Sequence, residues 1–397
     1  MRSGHRSSRA RDAGPAYVVG LAAGLAILLA SGSLEIALAH GLTSDLSYIW
    51  AGPRAVLDGY DPYDPSQWRA AVEARGTQGF TSPAVYSYPP AVLLVLLPFG
   101  LLPLAAAFVI WAVVPPLSAA LAVRALLQEE AMPAARWVHG LAGLALVLSQ
   151  PAVVTIRSGQ WSYVLLAALA AAIVLTRRGR PIAGAVATAV LLVKVHLMLI
   201  TFPALAIAVP RRDRARYVAA LAAAAACPVI LTAVARPGWW ASWWSHVPLA
   251  RATEPNVTTA WRVLTDAVGM VGPILAVGLA ALALLAIVRV RDDPVAVVAL
   301  GVAASLAFAP YMRSYDHLIA IAPITMADAL LARRNARAAD LVGGAMLAGF
   351  IAGTWTLIYA VGEPRRSESL SWLVPCAVLV LVVAAARIGR AAPGRAP

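Results

Sequence analysis

Long apolar runs follow one another along this chain from Tyr17 to Ala386, parted by short polar or arginine-rich breaks and by longer stretches at 40–87 and 236–262. An α-helix needs about twenty apolar residues to cross a bilayer, and within the hydrocarbon each backbone N–H and C=O must be satisfied internally. The pattern predicts an all-α, polytopic integral membrane protein. It leaves no polar stretch large enough for a soluble domain. Composition agrees: 61% of the residues are hydrophobic and 13% are charged, about half the charged share of an ordinary soluble domain. The net charge of +13 would point to nucleic acid if the cations shared a polar domain. They do not, so no nucleic-acid partner is expected. Cys227 and Cys376 lie in apolar runs without a CxxC or metal-ligand pattern.

The run from Tyr17 to about Ala39 is longer than the 7–15 residues of a signal-peptide core, so it reads as an uncleaved first span. The stretch 88–127 is too long for one span and awkward for two because of Pro103, Pro115 and Pro116. A short re-entrant or tilted helix at its start leaves one crossing there. Further spans are expected at 137–156, 160–176, 181–194, 197–210, 217–235, 263–288, 294–310, 317–332, 339–361 and 370–386. That makes about twelve, with both termini cytoplasmic, tails at 1–14 and 391–397, and one transmembrane domain at 15–390. Most of the 32 cationic residues then face the cytoplasm, including the runs RRGR, RRDRAR and ARRNAR, as the positive-inside rule requires. Loop one (40–87), the 157–160 turn, the 194–196 tip, the Trp-rich loop 236–262 and the 311–317 turn fall outside.

Lys194 is the only lysine in the chain and sits between LLV and VHLMLI. Ionisable groups inside a membrane are costly and default to functional candidates; snorkelling to the interface is the structural alternative. His196 stands beside it. Asp45, just beyond the first span, has the placement of a general base or of a helix N-cap. The run Asp58-Gly59-Tyr60-Asp61-Pro62-Tyr63-Asp64 reads as a turn, with Asp61 and Asp64 also within the chemistry of a divalent-cation site. Trp243 and Trp244 lie in a Trp-rich stretch suited to interfacial anchoring or to sugar stacking. In Tyr311–His317, Arg313 and His317 flank Asp316, an arrangement able to hold phosphate with Asp316 orienting His317, or to cap a helix. No GxGxxG, P-loop, GxSxG or HExxH occurs, so soluble nucleotide chemistry is not expected.

Several segments carry a family resemblance: S-D-L-S-Y-I-W-A-G, D-G-Y-D-P-Y-D, Y-S-Y-P-P-A-V-L-L-V-L-L-P, S-G-Q-W-S-Y-V-L-L, the membrane lysine, E-P-N-V-T-T and P-Y-M-R-S-Y-D-H-L-I-A-I-A-P. In this order, over about residues 40 to 325, they resemble glycosyltransferase family 87. The resemblance implies a GT-C-type fold and an actinobacterial mannosyltransferase drawing on polyprenyl-phosphate-mannose. It implies Asp45 as the catalytic base, with the family's glutamine turn at Gln160, its membrane lysine at Lys194 and its late histidine at His317. Ser162 stands where members often have Asn, and Val195-His196 where a Pro-containing segment is common.

The expected reaction is an inverting transfer to a lipid-linked or cell-envelope glycan, such as a phosphatidylinositol mannoside or lipoglycan, on the outer face of the plasma membrane. Donor contacts are expected from Gln160, Lys194, His196, Arg313 and His317, and acceptor or lipid contacts from Asp61, Tyr88, Trp243, Trp244 and Asn256. No metal or other cofactor is called for, because cationic side chains can neutralise the leaving group. Three alternatives stay open: a secondary transporter or glycolipid flippase, a GT-C enzyme using polyprenyl-linked arabinofuranose, and a non-catalytic scaffold.

Overall fold

A computed structural model describes residues 13–31, 45–75, 84–129, 135–252, 259–360 and 370–390. No strand occurs among them. Helix α1 (Ala13–Ala30) is apolar throughout. Two short helices, α2 (Asp45–Leu57) and α3 (Pro65–Glu73), build a lobe beyond it. α3 starts at a proline that needs no N–H partner, and Asp64 Oδ1 caps it by accepting from Ser66 N (3.0 Å) and Gln67 N (2.9 Å).

The 88–127 stretch divides at Leu101–Pro103 into α4 (Pro90–Gly100) and α5 (Leu104–Leu127), the latter continuing through Pro115 and Pro116. At 11 residues α4 is roughly 16 Å long, about half a bilayer core. The short-helix form of this segment is the one adopted. There follow α6 (Arg136–Leu148), α7 (Gln150–Ser158), α8 (Ser162–Arg177) and α9 (Pro181–Val190), which runs into a 3-10 turn at Leu191–Leu197. Next come α10 (Thr201–Ala208), α11 (Arg211–Ala235), α12 (Pro237–Ala252), α13 (Ala260–Val268), α14 (Val271–Arg289) and α15 (Pro294–Phe308). A second 3-10 turn, Ser314–Ala320, continues into α16 (Ile321–Ala332), followed by α17 (Ala336–Ala360) and α18 (Leu373–Arg390).

Six helical stretches among the described residues are long and apolar enough to cross a membrane: Leu104–Leu127, Arg136–Ser158, Arg211–Ala235, Val271–Arg289, Ser314–Ala332 and Ala336–Leu357. Ser314–Ala332 is the central one, with 83% of its apolar window buried, whereas only 6% of that window in α11 is buried. Ile230 and Val234 on α11 and Ile274 and Leu282 on α14 are exposed. Apolar surface of that extent is tolerated against lipid but not against water. The chain is an all-α polytopic membrane protein.

In the hairpin read at 181–210, each arm is shorter than a full crossing helix. α9 and its 3-10 turn rise to Lys194, whose φ of −128° and ψ of 61° break the helix, and the eight-residue α10 returns. Both feet rest on the start of α11: Thr188 Oγ1 meets Tyr217 Oη at 2.7 Å, and the Arg214 guanidinium donates to the carbonyls of Ala206, Ile207 and Val209. Those carbonyls are the orphan acceptors at the α10 C-terminus, which a cation satisfies well. The expected span 263–288 is likewise interrupted, at Gly269, whose φ is +59°.

The bundle has two chemically different ends. At one, Arg178 pairs with Glu129 (2.9 Å), Arg333 pairs with Asp293, and the three arginine-rich runs gather. At the other, Asp45 of α2 meets Gln160 in the α7–α8 turn, and Ser162 of α8 and Lys194 of the first 3-10 turn both meet Asp316 of the second. Over that end the lobe packs Tyr48, Tyr63, Trp68 and Tyr86 into a second core, with Trp239 and Trp243 of α12 against it.

Candidate active site

Asp45 opens α2 and is solvent-exposed. Its Oδ2 accepts a hydrogen bond from Gln160 Nε2. The close approach between these two segments depends on Gly159, which ends α7 in the left-handed conformation (φ +64°). A Cβ at that position would lie 3.0 Å from Leu46 Cα. Glycine supplies the turn and the space together, and so delivers Gln160 to Asp45.

Gln160 is buried, and its Oε1 accepts from Lys194 Nζ at 3.2 Å. The same ammonium donates to Asp316 Oδ1 at 2.8 Å and lies 4.6 Å from the centre of the Tyr315 ring. Asp316 Oδ1 also accepts from Ser162 Oγ (3.1 Å), and Oδ2 from Arg313 N (3.4 Å). One hydrogen-bonded path thus runs from Asp45 through Gln160 and Lys194 to Asp316, joining loop one, the α7–α8 turn, the α9 turn and the 311–317 turn. Such a path holds a carboxylate in a fixed orientation at one oxygen. Asp45 Oδ1 carries no hydrogen bond among the described residues and stays open to a proton donor.

Arg313 is half-buried, and its Nε donates to Tyr311 Oη at 3.2 Å. The half-buried His196 ring meets the Tyr311 ring edge-on at 5.5 Å. Both residues therefore adjoin the path. His317 does not join it: the residue is 1% exposed, and its Nε2 has no hydrogen-bond partner among the described residues. Of the two roles read for Asp316, it takes the cap, accepting from Arg313 N, and it bonds Lys194 and Ser162 rather than His317.

The remaining candidates lie in the lobe. Asp61 Oδ1 accepts from Tyr63 N at 2.8 Å, and Asp64 caps α3, so both acids serve the turn. Burial pushes the phenols of Tyr63 and Tyr86 well above their usual range; both donate to carbonyls, Tyr63 to Tyr88 O (2.6 Å) and Tyr86 to Ile49 O (3.0 Å). The Arg54 and Arg75 guanidinium groups hold the Asp58 carboxyl below the usual carboxylate range. Trp243 Nε1 donates to Ser87 O (2.9 Å), which makes it a packing element, while Trp244 is exposed. Tyr88 links lobe and path, its ring 5.8 Å from Trp161. Asn256 lies outside the described residues.

Sequence reasoning named Asp316 only for His317 or a helix cap and Ser162 only as a departure from the family, and it did not pair Asp316 with Lys194. A lone buried ammonium demands a buried carboxylate, and Asp316 sits in the one late turn already rich in candidates. That demand was the available signal.

A family model, glycosyltransferase family 87, matches residues 86–310, more than half of the chain. The matched region includes Tyr88, Gln160 and Lys194; Asp45 and the 311–317 turn lie outside it. No curated protein matches the sequence.

Proposed function

The chain belongs to glycosyltransferase family 87 and is a membrane glycosyltransferase, and we propose that it transfers mannose from polyprenyl-phosphate-mannose to a glycolipid or lipoglycan acceptor, with Asp45 as general base. The observation that carries this reading is the path Asp45–Gln160–Lys194–Asp316. It sets an exposed, oriented carboxylate beside a buried cation, the pair of charges such a transfer needs.

Asp45 Oδ1 takes the proton of an acceptor hydroxyl. The acceptor oxygen forms its bond to the anomeric carbon while the bond from that carbon to the phosphate oxygen breaks. The electron pair leaves with the polyprenyl phosphate, and a single displacement inverts the centre. Lys194 and Arg313 supply positive charge where the departing phosphate gathers negative charge, and His196 lines the same turn. His317 is left out of the step because it is buried away from the path. The positive-inside rule puts the arginine end in the cytoplasm, and with it the path on the outer face of the plasma membrane, where lipid-linked donors are the available sugars.

Purified protein given radiolabelled polyprenyl-phosphate-mannose and a membrane-lipid acceptor extract tests this. Labelled glycolipid should form with wild type and be lost in Asp45→Asn. Donor crossing a liposome bilayer without product would replace the reading by a flippase.

A further inference from the structure

A cavity of about 430 Å³ lies between the lobe and the corner joining α11 to α12. Its volume is within the ~300–1,000 Å³ of small-molecule pockets. Asp61, Tyr63 and Asp64 line one side; Arg236, Trp239 and Ser242 line the other. Asp61 and Asp64 each commit Oδ1 to backbone N–H groups, and neither Oδ2 carries a hydrogen bond among the described residues. Hydrogen bonds from the Ser66 hydroxyl and from backbone hold the Asp64 carboxyl below the usual carboxylate range, so it is an anion at neutral pH. The exposed Arg236 guanidinium lies 5.9 Å from the Trp239 ring centre. Trp239 Nε1 is buried and without a partner among the described residues.

Two open carboxylate acceptors, a forked donor, an indole and a hydroxyl make an amphipathic lining. A sugar ring fits that chemistry: its hydroxyls both donate and accept, and its C–H face suits an aromatic side chain with a polar edge. A phosphate group would meet two carboxylates against one cation. A lipid tail would meet charged walls.

We propose that this cavity is a glycan-binding subsite, holding the part of the acceptor remote from the hydroxyl that is mannosylated. The inference rests on the glycan acceptor of the proposed function. The aromatic lobe separates the two places while connecting them. Trp239 meets Tyr63 at 5.2 Å, Tyr63 bonds Tyr88, and Tyr88 meets Trp161 beside Gln160. An acceptor of several sugars would follow that aromatic connection from one place to the other.

The test uses the full chain in lipid nanodiscs and a soluble linear mannose oligosaccharide, with binding read by calorimetry. Arg236→Gln and Asp61→Asn should each weaken binding about tenfold, roughly the loss of one good polar contact. In transfer assays Arg236→Gln should raise KM for a long glycan acceptor about tenfold and leave a one-sugar acceptor unaffected. Unchanged oligosaccharide binding in both variants overturns the subsite, as does equal slowing of both acceptors, or occupation by calcium ion alone with no sugar binding. If the oligosaccharide binds through Arg236 and Asp61 but no mannose is ever transferred, the subsite stands and the transfer reading falls. If mannose is transferred and the variants bind as wild type does, only the subsite falls.

Discussion

Lys194 Nζ stands 2.8 Å from Asp316 Oδ1, with the two side chains 8% and 0% exposed. Breaking a buried pair from one side leaves an uncompensated charge, which costs about 3–5 kcal/mol, whereas removing both partners is close to neutral. Lys194→Met and Asp316→Leu should therefore each lower the thermal midpoint in detergent by several degrees. The double variant should recover most of that loss and still transfer no sugar. Additive losses in the double variant would show that the two side chains do not act as a pair.

Gln160 is a positioning residue for Asp45, acting through one hydrogen bond. Gln160→Leu should lower kcat by about 10–100-fold, the scale on which small misplacements act. KM for the donor should stay near wild type, because the Lys194–Asp316 pair is intact. A rise in KM with unchanged kcat would assign Gln160 to donor binding instead.

Gly159→Ala tests how the turn delivers Gln160. A left-handed residue with a Cβ costs roughly 1–2 kcal/mol, and the Leu46 backbone blocks the space. Activity should fall more than stability does. Adding Leu46→Ala should restore none of it, because alanine keeps the Cβ, Cα and N that meet the new methyl; recovery in that double variant would separate Gly159 from the α2 contact.

The lobe should loosen in acid. The folded-state Asp58 carboxyl is held below its usual 3.8, chiefly by the hydrogen bond from Arg54, and Asp64 is lowered too. Groups depressed in this way stabilise fully above their unfolded value and lose that contribution as pH falls through the folded one. Fluorescence from the buried Trp68 should stay flat down to about pH 4 and change below it. Asp58→Asn should shrink the acid step; an identical step would take Asp58 out of it.

The class of fold was legible because run length is fixed by bilayer thickness, and the apolar faces of α11 and α14 have no other solvent. Lys194 stood out as the only lysine, set in an apolar run, and Asp45 as an acid just beyond the first span, whereas Gln160 was pointed to by the family resemblance alone. The turn at 194–196 was legible too, but the eight-residue length of α10 was not, since α10 ends where Arg214 caps its carbonyls, a contact that composition does not encode. The lobe was harder still. Whether Asp61 and Trp243 touch a substrate or pack a turn depends on aromatic contacts among Tyr48, Tyr63, Trp68 and Tyr86, which come from separate parts of loop one. The role of Asp316 was hidden by a separation of 122 residues from Lys194.

That separation has a meaning for biogenesis. Lys194 enters the bilayer before its counter-ion has been synthesised, so every nascent chain passes through a stage with an unpaired ammonium among apolar helices. Chains halted before Asp316 lack the carboxylate that pairs with Lys194 in the finished fold.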